Sequence, residues 1–401
     1  MAETFRFEYQ PGTILCGDGI VTSLNDEIIE HGLTRALVVC GSTVGSTEPV
    51  IGPVCEGLGT RLAGVFDQAT PEKHLATAIE GARRVKATNA DVIVGLGGGS
   101  SLDTSKLVSV LASHDRPAAT VAREMVADGT VDLPDGELLP IATIPTTLAG
   151  ADLSAVAGTR LTVDPTTHEG EIESAGVSDP RLLPTIATYD SALFETTPSQ
   201  VLIDSAMNGF DKGIEMIYGS DHTPITDATA THGLRLLRRG LPSLGDEDEQ
   251  ALAATVRGIV LVQYGLSTGS TYRASLIHAF GHGFSRRYEV SQGVIHAILA
   301  PHVLRYLFGE VDARRHLLAR GLGLDPRNDS PEAVAEAIVR EVIAVRDAMG
   351  LPDRLGSVDG LERDHFPTIA DAILADDFMH NVPAGCDPDA ADVQTVLKNA
   401  W

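Results

Sequence analysis

The chain has 401 residues, 43% hydrophobic and 21% charged, with 40 Gly and 21 Pro, enough for one large or two ordinary domains, each with a core of its own. No stretch approaches the roughly 20 uninterrupted apolar residues of a membrane span, and the start, MAETFRFEYQ, lacks a basic-then-apolar secretory pattern. Asp and Glu number 55 against 30 Lys and Arg, a formal net charge of −25 that argues against nucleic-acid binding.

The acids are dispersed rather than gathered in a tail. Only five residues are lysine: Lys73, Lys86, Lys106, Lys212 and Lys398. Such an acidic, lysine-poor composition suits a salt-loaded cytoplasm, where ionic strength screens self-repulsion. Cys16, Cys40, Cys55 and Cys386 form no CxxC pair, so they read as small buried residues of a reducing compartment.

In chain order, Ala36 to Cys40, Asp91 to Leu96 and Leu139 to Ile144 are short apolar runs that predict buried parallel strands. Helical patterns such as Leu75 to Lys86 separate them, which implies an open α/β sheet over residues 1–190. A β-rich stretch from Ala155 to Tyr189 is broken by a turn around Asp164 and Pro165. From Ser191 onward helical periodicity dominates, predicting helices over 201–218, 225–237, 251–266, 274–284, 293–307 and 332–349. The expected architecture is α/β plus all-α, with residues 1–190 Rossmann-like and 191–401 all-helical.

One glycine-rich turn follows a strand and opens a helix: Gly95-Leu96-Gly97-Gly98-Gly99-Ser100-Ser101-Leu102-Asp103-Thr104-Ser105-Lys106. Successive glycines let a ligand approach the backbone, and a helix amino terminus offers free N–H groups to a phosphate. The pattern is neither a P-loop nor GxGxxG, and a bare strand-to-helix turn would use similar residues. A second turn, Pro145 to Ser154, places Thr146 and Thr147 after a strand, where hydroxyls either hold a cofactor or cap a helix.

In the second half, Asn208 and Lys212 stand four apart, as do His278 and His282. Each pair shares a helix face, and paired His can ligate a metal or relay a proton. A histidine bonded inside a core is the structural alternative. Arg286-Arg287-Tyr288 follows the His pair, and Gln292-Gly293-Val294-Ile295-His296 comes ten residues after His282.

Together, GGGSSLDTSK, PTTLAGADLS, SAMNGFDKGIE, HAFGH, the Gln292 region with AILAPHVLRY, and DDFMHNVP resemble the iron-containing alcohol dehydrogenase family across most of the chain. The resemblance implies a dinucleotide-binding domain, a helical domain and a divalent metal. It places Gly97, Gly98, Gly99, Ser100 and Asp103 against the cofactor's pyrophosphate and nicotinamide, with Thr146 and Thr147 lining the same cofactor. Gly41 and Ser42 stand where NAD-preferring relatives carry a ribose-binding acid, so NADP(H) should be accepted alongside NAD(H).

The family's four metal-ligand positions hold Asn208, Lys212, His278 and Gln292. Only His278 is a good ligand, and an ammonium repels a dication, so no catalytic metal is expected. The metal-independent maleylacetate reductases are similar in carrying Asn at the position of Asn208 and a like His pair, although they keep His where Lys212 stands. The run Gly176 to Pro184 is also similar to theirs.

Lys212 would then supply the positive charge and proton that a metal otherwise supplies to a developing alkoxide. Asn208 would orient the substrate, His278 and His282 would relay the proton, and Arg286 and Arg287 would hold a substrate anion. The implied protein is a cytoplasmic, halophilic NAD(P)-dependent oxidoreductase and homodimer, acting on a small anionic carbonyl or alcohol. The alternatives are a metal-dependent alcohol dehydrogenase with atypical ligands and a silent cofactor-binding protein.

Overall fold

A computed structural model of the chain describes residues 5, 7, 12–161, 174–246, 248–268, 271–285, 287–327 and 329–401. The turn expected at Asp164 and Pro165 and the side chain of Arg286 lie outside the described residues. Two compact units emerge, one spanning Tyr9–Thr197 and the other Pro198–Ser267 with Thr271–Trp401.

The first unit holds strands β1 (Thr13–Gly17), β2 (Ala36–Gly41), β3 (Leu62–Ala69), β4 (Val92–Gly97), β5 (Ile141–Pro145), β6 (Val156–Arg160), β7 (Ser174–Ser178) and β8 (Ile186–Asp190). Six of them form one sheet in the order β1-β8-β5-β4-β2-β3, with every neighbouring pair parallel. Its helices are α1 (Leu24–Glu30), α2 (Ser42–Ser46), α3 (Glu48–Leu58), α4 (Leu75–Thr88), α5 (Gly99–Ser113), α6 (Ala118–Asp128) and α7 (Ser191–Glu195). One apolar cluster joins Leu37, Val39 and Ile93 to residues of α4, α5 and α6. Another joins Val38, Val92 and Val94 to α1 and α3. Alternate residues of β2 and β4 thus enter opposite clusters, which is why these strands read as unbroken apolar runs.

The remaining pair, β6 and β7, is antiparallel, with Val156 opposite Ser178 and Arg160 opposite Ser174. The unit runs to Thr197. Asp190 caps α7 by accepting from the Ala192 N–H, Leu193 packs in the second cluster, and the Thr197 hydroxyl donates to the Thr146 carbonyl at 2.8 Å. The segment after β8 is therefore tied back to the sheet.

The second unit carries α8 (Ser199–Tyr218), α9 (Pro224–Gly240), α10 (Glu249–Leu266), α11 (Leu276–Ser285), α12 (Gln292–Glu310), α13 (Arg315–Gly321), α14 (Pro331–Ala348), α15 (Phe366–Leu374) and α16 (Ala390–Asn399). Two-residue strands at Ser267–Thr268 and Thr271–Tyr272 interrupt the loop between α10 and α11. No described helix is long and apolar enough to cross a membrane.

Helices α8 and α12 approach so closely at Gly293 that a Cβ there would lie 1.7 Å from the Asp204 carbonyl oxygen. Gly293→Ala must push the two helices apart. It should cost about 1–3 kcal/mol, in line with overpacked cores, and lower the melting temperature in a thermal scan. An unchanged melting temperature would mean that this crossing does not constrain the unit.

Candidate active site

In the sheet unit, the turn after β4 combines two glycine requirements. Gly97 adopts φ +127°, a conformation open to glycine and strained for other residues. Gly95 lies so close to α5 that a Cβ would meet the Ser105 hydroxyl oxygen at 2.7 Å. The helix begins at Gly99 with Gly98 as an extended N-cap that offers no side chain to the first N–H groups. Those donors and the positive end of the helix dipole are left for an anion.

Neighbouring turns complete this edge. The Thr146 N–H donates to the Gly97 carbonyl at 3.0 Å, and a Cβ on Gly98 would sit 3.3 Å from the Thr147 methyl. A Cβ on Gly41 would lie 4.0 Å from the Ser101 hydroxyl, and Val44 stands against Gly97. Gly41, Ser42, the glycine turn and Thr146-Thr147 therefore meet at the carboxyl ends of β2, β4 and β5. The chain reverses its direction across the sheet between β2 and β4, and in open α/β sheets such a switch point is where ligands bind. The lack of Cβ atoms at the turn fits a dinucleotide's pyrophosphate.

Asp103 has partners within the unit. Its carboxylate pairs with the Lys73 ammonium at 3.0 Å and accepts from the Gly158 N–H at 3.2 Å, so its charge is already compensated. Lys106 is wholly buried and donates to the carbonyls of Ala151 and Val156, each at 2.8 Å. Burial pushes its pKa down to about 8. This lysine fastens the threonine turn to α5.

In the helical unit, Asn208, Asp211, Lys212 and Glu215 recur at i, i+3, i+4 and i+7 on α8, and all four are buried. An apolar helix face interrupted by four such groups is costly unless neighbours answer them. Glu215 is answered most fully. Its Oε2 lies 2.5 Å from His278 Nδ1, while its Oε1 accepts from the His278 N–H at 3.0 Å and from the Tyr218 hydroxyl at 3.1 Å. Burial nevertheless raises the Glu215 carboxyl to about 7.

His278, on α11, is held well below the ordinary histidine range, first by burial and then by His296 and Lys212. With Glu215 ionised, its proton sits on Nδ1 and Nε2 is an acceptor; among the described residues Nε2 has no hydrogen-bond partner. His282, one turn on, has its Nδ1 2.9 Å from Asp376 Oδ2, and a quarter of its side chain is exposed. The Phe378 ring packs 5.0 Å from His282 and 6.2 Å from His278, between centroids. His296, on α12, is fully buried 3.5 Å from Asp211, and burial lowers it to about 3.

The structure thus gathers His278, Glu215 and Tyr218, and places Lys212 close enough to shift both His278 and His296. Gln292 opens α12, half-buried, and Arg287 is exposed just beyond α11. Sequence reasoning passed over Asp211, Glu215, His296 and Asp376, although each lies within or beside a motif already singled out. Their partners are distant in sequence, and the one usable signal was the 3.6-residue period that puts Asp211 and Glu215 on the Asn208–Lys212 face.

The divalent metal implied for this fold does not suit the donor set. Asn208 is neutral, Lys212 is cationic, and among the described residues no group of three or more His, Cys, Asp or Glu is arranged to hold a metal ion.

Comparison with known proteins agrees with this architecture. The family profile described as Iron-containing alcohol dehydrogenase matches residues 11–191, and that described as Fe-containing alcohol dehydrogenase family, C-terminal, matches residues 202–401. Lactaldehyde reductase of Escherichia coli (strain K12) is 26% identical over 394 residues, covering 96% of this chain and 97% of the relative. Maleylacetate reductase 1 of Cupriavidus pinatubonensis is 25% identical over 404 residues, covering 99% and 97%. The solved structure of sulfoacetaldehyde reductase from Bifidobacterium kashiwanohense in complex with NAD+ superposes with a TM-score of 0.85 at 18% identity, covering 99% of each chain.

Glu215 yields a test of sign. Its carboxyl is raised from 4.5 to about 7, so the folded state takes up a proton that the unfolded state lacks between those values. That contribution is complete below 4.5 and lost as pH rises through about 7. Urea unfolding at pH 5 and pH 8 should therefore show Glu215→Gln gaining stability relative to wild type at the higher pH; a pH-independent difference would contradict the burial argument.

Proposed function

Because the chain belongs to the iron-containing alcohol dehydrogenase family, and is an oxidoreductase of that family, we propose that it transfers a hydride between a nicotinamide cofactor and a small anionic carbonyl or alcohol without a catalytic metal. The observation that carries this reading is Lys212, 4% exposed, on the face of α8 shared with Asn208 and within electrostatic reach of His278. The names of the relatives, lactaldehyde reductase and maleylacetate reductase, support a small oxygen-rich carbonyl substrate.

Bound NAD(P)H supplies the hydride. The uncapped start of α5 and the glycine turn hold the pyrophosphate, and Thr146 and Thr147 border it. NADPH is accepted as well as NADH, since Gly41 and Ser42 at the end of β2 present no carboxylate to a 2′-phosphate.

Carbonyl reduction forms a C–H bond at carbon and leaves the electron pair on oxygen. The Lys212 ammonium stabilises that oxygen and donates a proton to it, giving the alcohol. Asn208, one turn away on α8, orients the carbonyl with its amide. His278 and His282 return a proton to Lys212 from solvent, with the partly exposed His282 as the outer end and Asp376 holding its Nδ1. In the oxidative direction His278 Nε2, bare while Glu215 is ionised, receives the proton. Arg287 and Arg286 remain candidates for the substrate's anion. The acidic, lysine-poor composition supports a salt-loaded cytoplasm, and a homodimer is proposed on the family resemblance alone.

The deciding experiment follows NADPH and NADH oxidation in multimolar KCl with aldehydes, ketones and keto acids, with and without a chelator. Turnover indifferent to the chelator is expected. Loss with chelator and recovery with a divalent ion would overturn metal independence, and nucleotide binding without turnover on any substrate would overturn the enzymatic reading. Lys212→Met should lower kcat by about 100-fold or more, the scale of losing a general acid, with cofactor affinity within about twofold of wild type by fluorescence titration. Unchanged turnover would remove Lys212 from the chemistry.

A further inference from the structure

Asp211 and His296 take no part in the steps above, yet both are fully buried. Among the described residues, neither carboxylate oxygen of Asp211 and neither ring nitrogen of His296 has a hydrogen-bond partner. The two face each other at 3.5 Å, too long for a strong hydrogen bond and within ion-pair reach. A fold does not keep two such groups in a core without a reason, because each costs on the order of 1–3 kcal/mol when buried unpaired.

The surroundings of His296 are shaped to it. A Cβ at Gly281 of α11 would lie 2.2 Å from His296 Nε2, so the ring occupies a notch that only glycine leaves open. From that notch it meets the His278 ring edge-on, with centroids 4.4 Å apart and planes at 62°. Asp211 stands one turn before Glu215 on the same face of α8. Two carboxylates from one helix thus address two imidazoles from two others, and the imidazoles touch.

We propose that Asp211 and His296 are positioning residues for His278: Asp211 orients the His296 ring, and that ring blocks the flip of His278 that would carry its Nδ1 away from Glu215. A flip about the Cβ–Cγ bond exchanges ring nitrogens with ring carbons, so it would break the 2.5 Å contact and turn Nε2 elsewhere. Outer partners of this kind fix tautomer and direction together. The titratable and charged groups acting on the two imidazoles are Asp211, Lys212 and Glu215 from α8, His282 from α11, and Asp376 from the segment after α15. The arrangement itself is independent of the reaction; its consequence for turnover rests on the proposed role of His278 in proton transfer.

Two variants test this, Asp211→Asn, which keeps the shape, and His296→Ala, which removes the blocking ring, each made in the full-length protein and checked for folding by thermal melting. With ring-labelled [15N]histidine at pH 8, where Glu215 is ionised, wild type should show His278 as a single Nδ1–H tautomer. Both variants should show a mixture or a broadened signal. In turnover, kcat should fall about 10–100-fold with substrate KM and cofactor affinity little changed. A His278 signal and a kcat identical to wild type in both variants would overturn the proposal. A His278 signal that changes while wild type itself has no turnover on any substrate would sustain the positioning and sink the proposed function, so the two failures are separable. If one variant does not fold, the other decides alone.

Discussion

The contact between Glu215 and His278 is the constraint around which the helical unit is arranged. It joins α8 to α11 through a carboxylate whose other oxygen is filled by a backbone N–H and a tyrosine hydroxyl. Such a group is tolerated in an apolar interior because nearly every lone pair has a donor. Breaking one partner would strand the others, since Tyr218 also accepts from the Ile277 N–H. Helices α8 and α11 must therefore keep their mutual position for the imidazole to be held, and α12 packs closely against α8 at Gly293.

On the metal-free reading proposed above, the helices of this site are gathered without an ion. A divalent ion would draw donors from α8, α11 and α12 toward one point, at the cost of arranging several anionic ligands. In this chain two carboxylate–imidazole pairs link the same three helices, and the ammonium of Lys212 lies among them. On that reading the positive charge is single and compact, and it can leave as a proton, which a metal ion cannot do.

Much of the scaffold was legible in the residues themselves. The predicted helices at 201–218, 251–266 and 293–307 correspond to α8, α10 and α12 within a few residues at each end, because long amphipathic or apolar patterns leave few alternatives. The runs ALVVC and DVIVGL became β2 and β4 for the same reason. What stayed hidden was pairing across long separations. Asp376 meets His282 from 94 residues away, and Glu215 meets His278 from 63. Neither distance leaves a local pattern. The Asp103 carboxylate, expected against the cofactor by resemblance, pairs with Lys73, a lysine whose backbone sits at positive φ.

The scarcity of amines gives the protein an unusual handle. Lys106 is sealed inside the sheet unit and Lys212 inside the helical unit, while Lys73 is occupied by an ion pair. Lys86 and Lys398 are the lysines whose side chains are exposed, one in each unit, although Lys86 also donates to the His114 carbonyl. Among the lysines, acylating reagents would thus react foremost with one in each unit. Fluorophores attached there would report on the separation of the units without touching the residues assigned to chemistry.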